Sequence, residues 1–518
     1  MTGAARARSA TETRLVFAKG SARMTVHVRT SADGLALRYE MPSGATVLRE
    51  ATSFELPTDA QLSRQVFSPD HEMGYVTSPV ADVATSSYDM GMFAQHTNGA
   101  RVLLAESGVD GGHSGGRFAH TQGTGRFTVT LADAQIARSG AFTTPWRTAT
   151  IGSTATIVES TLVDDVAPAS KVSDTSWIKP GVAAWPWLDG QVATQPHVLT
   201  NEAVRGEEYP GGRNIGHVAA LPFTRGLLGP ADYSPMSFQQ SNPNSDAAEL
   251  ALTVLLDSGI MLPGGRISDY QARPEAQRWL RLLPPLWDET KYVSGDPLTG
   301  GVIARRSGDR WFVGAFRRGG ATISYPTTFL GAGTWHAEIT TDGSGGLTRT
   351  SKVIKAGDTL SIPALANGGH VVRLTKVPVV PTGNRTVAIA GGSHVLDVRS
   401  GSVSDNAEII RWPSNGGINQ RFAFVPLGDG YTRIVNQASG KDVVIRNASR
   451  DAGAKVIQYQ YEANANTNDE WLAEDAGNGR IRLVNRHSGL YLTAGNAQGD
   501  QLEQRPFDGA DHQLFTVS

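Results

Sequence analysis

Short runs in which apolar and polar residues alternate fill the first part of the chain and predict β-strands. The clearest are Met24–Arg29, Gly34–Tyr39 and Gly125–Leu131, and Gly, Asp or Pro turns separate such runs. A period of two places every second side chain on the same face of a sheet. The pattern therefore predicts a β-sandwich that extends to residue 168.

The pattern changes between residues 169 and 283. Ala247–Leu256 is a mostly apolar run that predicts a helix, with Asn244 or Ser245 as its N-cap. Strand-like pieces and loops rich in Gly, Pro and Trp precede it. Together these features predict part of an α/β domain.

Alternation returns between residues 284 and 376, as in Arg310–Phe316 and His370–Leu374, and predicts a second, smaller β-sandwich. The segment 377–383 contains two prolines and predicts a stiff linker.

The last region, residues 384–518, contains an internal repeat. Three segments close on an aromatic residue, at Phe422, Trp471 and Phe515, and a Ser-Gly pair recurs at 439–440 and 488–489. Three units of similar length predict a pseudo-threefold domain with one shared core.

These repeats resemble the ricin-B-type β-trefoil lectins, whose units end in Gln-x-Trp or Gln-x-Phe. The resemblance implies that the three closing aromatic residues belong mainly to the core. It also implies sugar binding through an early carboxylate, an aromatic platform and a late Asn/Gln pair. Carboxylate and amide groups bond to vicinal hydroxyls, and a ring packs on the C–H face of a sugar. The first repeat keeps the complete set: Asp397, Trp412, Asn419 and Gln420.

The other two repeats depart from this set. In the second, Val444 replaces the acid and Asp469 replaces the Gln. In the third, Thr493 replaces the acid and His512 replaces the Asn. We therefore expect one competent pocket out of three, and a lectin fold with no working site is the alternative.

Composition and charge restrict the classes of partner. The chain has 47 Lys and Arg against 49 Asp and Glu, so nothing indicates a nucleic-acid or anionic-membrane partner. Apolar runs fall short of the roughly 18 residues of a membrane span. With no cysteine, disulfides, thiolate metal sites and a Cys nucleophile are excluded. The N-terminus lacks the apolar run of a secretory signal peptide.

Three blocks in the first 300 residues carry the candidate chemistry: Thr144–Trp185, Asn201–Tyr209 and His217–Tyr233. The second block holds three carboxylates within seven positions. Of these, Glu202 and Glu208 could converge on a divalent cation, or one of them could donate a proton. A solvated loop in which the acids pair with the arginine of the same block is the alternative.

In this order the blocks resemble glycoside hydrolase family 97, whose members hydrolyse α-glucosides or α-galactosides. The resemblance covers about Thr11 to Lys376. It implies an N-terminal β-super-sandwich, a (β/α)8 barrel and a C-terminal β-sandwich. We therefore predict a multidomain chain with a super-sandwich, a truncated barrel, a second sandwich, a linker and a β-trefoil at 1–168, 169–283, 284–376, 377–383 and 384–518.

The resemblance also implies the site residues. Glu208 matches the general acid that protonates the departing glycosidic oxygen and also touches a calcium ion. Glu202 matches a calcium ligand, and Glu106 matches a calcium-ligating Glu supplied by the N-terminal domain. An ion that bridges two domains would order the cleft and polarise substrate hydroxyls. For Glu106, an ordinary loop carboxylate is the alternative.

Two further groups of residues lie in the matched blocks or directly beside them. Three tryptophans could line a sugar subsite, although such residues more often pack a strand end: Trp177, Trp185 and Trp187. Three polar residues of the third block have no assigned role: His217, Arg225 and Asp232.

The resemblance breaks inside the barrel. A full (β/α)8 barrel takes about 250 residues, and 169–283 is less than half of that. In the family, the missing stretch holds a fourth calcium-ligating Glu and the partner of the acid, which is a Glu base in inverting members and an Asp nucleophile in retaining ones. Asp189 is a candidate replacement for this partner of the acid, and only its position near the missing stretch supports it. The start of the chain also looks shortened.

Two functions follow from these observations. The first is calcium-dependent hydrolysis of terminal α-glucosides or α-galactosides combined with sugar binding by the trefoil. The second is a carbohydrate-binding protein that has lost catalysis. Both predict an oligo- or polysaccharide partner, and the resemblance implies an extracellular location. The preferred sugar, the stereochemical course, the lectin ligand and the oligomeric state stay open.

Overall fold

The fold is described from a computed structural model. It describes residues 9–69, 73–110, 112–169, 174, 176, 181–182, 215–229, 238, 243–257, 260–261, 267–381, 383–462 and 466–518. This part of the chain is multidomain and rich in sheet, as predicted. None of its helices is long and apolar enough to cross a bilayer.

The region up to residue 168 contains two larger sheets within the described residues. Its strands are β1 (Thr11–Lys19), β2 (Ala22–Ser31), β3 (Gly34–Met41), β4 (Thr46–Val47), β5 (Ser53–Glu55), β6 (Gln61–Arg64), β7 (Val76–Pro79), β8 (Ser86–Tyr88), β9 (Met92–Gln95), β10 (Arg101–Ser107), β11 (Gly116–His120), β12 (Arg126–Leu131), β13 (Ile136–Ala137), β14 (Phe142–Thr143) and β15 (Trp146–Gly152). The three alternating runs predicted as strands coincide with β2, β3 and β12.

The larger sheet has the order β1-β2-β3-β15-β10-β9-β6-β7, with β14 beside β3, and the smaller one has the order β5-β12-β11-β8. Met92 and Leu104 of the larger sheet share a buried core with Phe118 and Phe127 of the smaller one. This packing places β10 and β15 side by side in the middle of the larger sheet.

Helices begin at the end of this region, after β15. The elements are α1 (Thr154–Val158), α2 (Leu162–Asp165), β16 (Gly181–Val182), α3 (Ile215–Ala220), α4 (Asp246–Leu255), β17 (Ile260–Met261), α5 (Ile267–Gln271) and α6 (Pro274–Leu282). The pair β16 and β17 is parallel, which is typical of an α/β region. Ser245 is the N-cap of α4, because its hydroxyl accepts the backbone N–H of Ala248 at 3.1 Å.

Two more sheets form the next region. Its strands are β18 (Glu289–Asp296), β19 (Gly300–Ser307), β20 (Arg310–Arg317), β21 (Ala321–Pro326), β22 (Thr334–Gly343), β23 (Gly346–Lys355), β24 (Thr359–Ala364) and β25 (Gly368–Lys376). One face of the sheet β18-β19-β20-β25-β22-β23 packs on the pair β21-β24. The other face packs on α4, where a Cβ at Gly314 would lie 2.6 Å from the carbonyl oxygen of Ala251.

The C-terminal region has the predicted threefold pattern. Its strands are β26 (Asn384–Arg385), β27 (Val387–Ile389), β28 (His394–Val398), β29 (Ile409–Pro413), β30 (Phe422–Pro426), β31 (Tyr431–Asn436), β32 (Asp442–Ile445), β33 (Val456–Tyr459), β34 (Glu470–Asp475), β35 (Ile481–Asn485), β36 (Tyr491–Thr493), β37 (Glu503–Arg505) and β38 (Phe515–Val517). Phe422, Trp471 and Phe515 are 0% exposed in one core, which confirms the prediction for these residues.

Candidate catalytic and sugar-binding sites

Glu106 lies on β10, directly opposite Arg147 of β15. Its carboxylate accepts a hydrogen bond from the Gly116 backbone N–H at 2.9 Å and another from Nη1 of Arg147. Burial raises the pKa of the Glu106 carboxyl, and Arg147 opposes that effect. Glu106 is therefore a mostly buried carboxylate with a fixed orientation, not a mobile loop residue.

Arg147 holds a second carboxylate as well. Its Nε and Nη2 donate to the two oxygens of Glu50 at 3.0 and 2.7 Å, while its side chain is only 1% exposed. The guanidinium thus lies between two acids, and the cluster keeps a net negative charge. The sequence singled out the block that contains Arg147 but assigned no role to Arg147 or Glu50.

The chemistry of Glu106 fits a calcium ion. Calcium prefers carboxylate and carbonyl oxygens, and within the described part of the chain the one hydrogen bond to Oε1 of Glu106 comes from the Gly116 backbone N–H at 3.2 Å. A Cβ at Gly115 would lie 3.2 Å from this oxygen, so a glycine keeps the space beside it open. Glu202 and Glu208 lie outside the described residues, and the described ones include no group of three or more His, Asp or Glu that could hold a metal.

The contacts of His217, in the third block, are those of a residue that holds the fold together. Its Nδ1 accepts the backbone N–H of Tyr75 at 3.0 Å, and the two rings stack at 5.8 Å. Burial lowers the pKa of His217 to about 4, so the ring is neutral at pH 7. Arg225 donates to the carbonyl oxygen of Gly229 at 3.1 Å. The His217 contacts join α3 to the N-terminal region, whereas the Arg225 hydrogen bond stays within the turn that follows α3.

The other residues named in these blocks or near them lie outside the described part of the chain, so their roles stay predictions: Trp177, Trp185, Trp187, Asp189 and Asp232.

The first trefoil repeat brings three of its four predicted residues into direct contact. Nδ2 of Asn419 and Nε2 of Gln420 both donate to Oδ2 of Asp397, at 3.0 and 2.8 Å. Burial raises the pKa of Asp397, whereas the two amides oppose that shift. Trp412 pairs with Val395 on the neighbouring strand, which puts its ring on the same face as Asp397 and one step along. The arrangement offers a ring face beside an oriented carboxylate.

The second repeat keeps the bond from its late Asn to the backbone but lacks the bonds to a carboxylate at the position of Asp397. Asn468 donates to the carbonyl oxygen of Ile445 at 2.8 Å, as Asn419 does to Val398 at 3.1 Å. Val444 takes the place of the acid, so Asn468 and Asp469, the late pair of this repeat, have no carboxylate at that position to orient. A cavity of about 520 Å³ lies here, and its lining includes Asn406, Val444, Tyr459, Asn468 and Asp469.

The third repeat keeps one bond of the pattern. Gln513 donates to the hydroxyl of Thr493 at 3.1 Å, where Gln420 donates to a carboxylate in the first repeat. His512, at the Asn position, contacts Asp508 at 2.6 Å. The expectation of one competent pocket out of three stays a prediction.

An oriented acid on a central strand of the larger N-terminal sheet and a trefoil repeat with a bonded Asp–Asn–Gln cluster are typical of a carbohydrate-active protein. Three family profiles match the chain: "Glycosyl-hydrolase 97 N-terminal" at 4–168, "Glycosyl-hydrolase 97 C-terminal, oligomerisation" at 286–375, and "Ricin-type beta-trefoil lectin domain-like" at 377–459. The chain belongs to glycoside hydrolase family 97 and is a glycosidase with a ricin-B-type lectin domain.

Named relatives agree with this assignment. The chain is 32% identical over 500 residues to a probable retaining alpha-galactosidase of Streptomyces bingchenggensis, an alignment that covers 69% of this chain and 78% of the relative. It is 30% identical over 169 residues to a retaining alpha-galactosidase of Bacteroides thetaiotaomicron, covering 29% of this chain and 26% of the relative.

Solved structures share the fold. A glycoside hydrolase family 97 enzyme from Pseudoalteromonas sp. strain K8, in complex with acarbose, matches with a TM-score of 0.62 at 17% identity, covering 71% of this chain and 91% of that one. A beta-arabinopyranosidase matches with a TM-score of 0.60 at 16% identity and the same coverage.

Proposed function

We propose that the chain hydrolyses terminal α-galactosides with the help of Ca²⁺ and binds sugar through the first trefoil repeat. The observation that carries the substrate is the alignment with the Streptomyces relative, which is named as a probable retaining alpha-galactosidase and of which this chain covers 78%. The shorter match to the Bacteroides enzyme, also named as a retaining alpha-galactosidase, supports the same sugar. α-Glucosides are the other substrate class to be tested.

The proposed roles follow the family resemblance. Glu208 donates a proton to the departing oxygen, and Glu106, Glu202 and Glu208 hold the ion. Calcium would polarise a substrate hydroxyl when bound, and the fixed carboxylate of Glu106 supports its place as a ligand. A retaining mechanism also needs a second carboxylate as nucleophile, for which Asp189 is the only candidate that we name.

The finer architecture and the location are part of the proposal. We propose a super-sandwich, a shortened barrel, a second sandwich and a trefoil in chain order. The alignment with the Streptomyces relative spans 500 residues, but the 69% of this 518-residue chain that it covers is fewer residues than that. Part of the relative therefore has no counterpart here, which supports a shortened chain. An extracellular location suits a polysaccharide substrate.

A second function is sugar binding without turnover. Two observations favour it: the first trefoil repeat keeps its hydrogen-bonded cluster, whereas part of the relative's chain has no counterpart here. Hydrolysis needs two carboxylates on opposite sides of the bond, and binding does not.

The test is turnover of nitrophenyl α-galactoside and α-glucoside, with and without a chelator. We expect turnover of the galactoside that a chelator abolishes and Ca²⁺ restores. The variant Glu208→Gln should lose at least about a hundredfold in kcat, because general acid catalysis contributes that much. Glu207→Gln, one position earlier in the same block, is the matched control.

Three results would count against parts of the proposal. Turnover that is indifferent to chelator contradicts the calcium role, and faster turnover of the glucoside contradicts the substrate. Binding of galactose-bearing polymers without any turnover supports the second function instead.

A further inference from the structure

An apolar cluster lies where the trefoil meets the rest of the chain. Leu282 of α6 packs with Tyr431, Leu472, Val484 and Tyr491 of the trefoil, and each of these side chains is at most 5% exposed. The cluster is separate from the trefoil's own core. Four apolar trefoil residues therefore share one buried cluster with a residue from another part of the molecule.

A buried ion pair crosses the same boundary. Arg373 of β25 is fully buried, and its Nη2 donates to Glu474 of β34 and, at 3.1 Å, to the hydroxyl of Tyr491. Arg310 of β20 donates to the same hydroxyl at 2.9 Å. An arginine buried in a sheet face needs a carboxylate partner, and here the partner belongs to the trefoil.

A buried carboxylate on the same sheet face also has a partner in the trefoil. Glu338 of β22 is 3% exposed and pairs with Arg278 of α6. Its other oxygen accepts the hydroxyl of Tyr431 at 2.6 Å. Nε of Arg278 in turn donates to the carbonyl oxygen of Arg486 in the trefoil, at 3.2 Å. The charged groups on the sheet face are thus completed from across the boundary.

Further polar contacts surround these groups. They are the ion pair Arg482–Asp309 at 3.1 Å, the hydrogen bond from Ser351 to Asp429 at 3.0 Å, and Arg310 over the ring of Phe507 at 4.3 Å. The contacts come from the second and third repeats. Asp397, Asn419 and Gln420 bond within the first repeat and take no part in this boundary.

The linker, residues 377–383, joins the trefoil to the preceding sheets and is accessible to a protease. Val379 is 98% exposed, so a site-specific protease can reach this segment. Buried charge partners and apolar side chains lie on β20, β22, β25 and α6 on one side and on β31, β34, β35 and β36 on the other.

We propose that the sheet face carrying Glu338 and Arg373, together with α6, is a docking surface for the trefoil that holds without the linker. The lectin domain is then a fixed part of the hydrolase, not a module on a tether. Its first repeat, whose Asp397, Asn419 and Gln420 bond to one another, then keeps one orientation relative to the catalytic region.

The test uses the full chain with a protease recognition sequence inserted between Val379 and Val380. After complete cleavage, we expect the two pieces to elute together on size exclusion at micromolar concentration, at the position of the uncut protein. Two separate peaks, each still folded by circular dichroism, would overturn the proposal.

A variant in the cleaved protein tests the named contacts. Glu474→Gln leaves Arg373 without its charge partner, so we expect the pieces to associate at least tenfold more weakly. Glu503→Gln is the matched control, because this acid pairs with Lys455 and Arg505 inside the trefoil. Equal association of the two variants would show that the pieces adhere by another surface.

Discussion

Arg147 is the residue on which the N-terminal acid cluster depends. It is buried between Glu50 and Glu106 and neutralises one of their two charges. An arginine suits this position better than a lysine, because its fork bonds Glu50 through two nitrogens and still reaches Glu106 with a third. The orientation of the proposed calcium ligand therefore depends on a cation that the protein itself supplies.

Replacing this arginine should destabilise the fold. Arg147→Met leaves two buried carboxylates without a cation, so we expect the free energy of unfolding to fall by about 3–5 kcal/mol. Added Ca²⁺ should recover part of the loss. Urea unfolding with and without the ion measures both effects.

Arg126→Met is the control, because Arg126 forms an exposed pair with Glu55. Its effect should stay within about 0.5 kcal/mol, as for most surface changes. If Arg147→Met unfolds at the same urea concentration as this control, the buried cluster does not stabilise the region.

At the scale of elements, the three trefoil hairpins β28–β29, β32–β33 and β36–β37 have the same backbone role and different chemistry. Each is followed by a segment whose amide or carboxylate side chain turns back toward the hairpin. In the first repeat this segment donates to the carboxylate of Asp397, whereas in the third it donates to the hydroxyl of Thr493. In the second repeat Val444 stands at the equivalent position. The side chain at one equivalent backbone position thus distinguishes the first repeat, which has the bonded cluster of Asp397, Asn419 and Gln420, from the other two repeats.

This difference predicts which repeat binds sugar. Asp397→Asn should weaken binding to a galactose-bearing polymer at least tenfold, because hydrogen bonds to a charged group contribute about 1.5–3 kcal/mol. Affinity electrophoresis on the polymer measures the loss. Asp469→Asn is the matched variant in the second repeat and should bind like the parent. Loss of binding in Asp469→Asn alone would assign the site to the 520 Å³ cavity instead.

Strand positions were predictable at this scale, and packing partners were not. A period of two shows the location of β2, β3 and β12, because alternation follows from the pleat of any half-buried strand. Asn244 and Ser245 were equivalent cap candidates by residue type. The structure selects Ser245, since only the start of α4 decides which backbone N–H is within reach.

For the whole molecule, the boundary between the trefoil and the preceding sheets should respond to acid. His336 of β22 is buried there, with its ring edge-on to Tyr431 at 4.8 Å. Burial lowers its pKa to about 4. The charged groups that face it are Glu338, Arg373, Asp429 and Arg278.

The sign of the effect follows from the two pKa values. An unfolded histidine has a pKa of about 6.5, so between pH 6.5 and 4 the unfolded state takes up a proton that the folded state does not. The free energy of unfolding therefore falls as pH falls through this window, by about 1.4 kcal/mol per pH unit for one group.

His336→Phe removes this group and keeps a ring of similar size. We expect its free energy of unfolding to change less between pH 6.5 and 4.5 than that of the parent. The two slopes should differ by about 1.4 kcal/mol per pH unit, the contribution of one titrating group. A slope remains, because burial also lowers the pKa of His217 and His487 to about 4. Urea unfolding at several pH values measures the slopes. Identical slopes in the variant and the parent would show that His336 titrates normally.

The sequence by itself determined the classes of structure and chemistry in this protein. Periodicity located strands, spacing revealed the trefoil repeat, and motif order identified the hydrolase family. These signals are local, or they repeat at a regular interval, so they can be detected along one chain.

Only the tertiary structure decided which charges meet. Glu50 and Arg147 are far apart in the sequence, as are Arg373 and Glu474, and no local pattern links them. A buried charge is stable only beside its partner, so these pairs depend on how sheets and domains pack. The same reason explains why the docking surface of the trefoil became visible only in three dimensions.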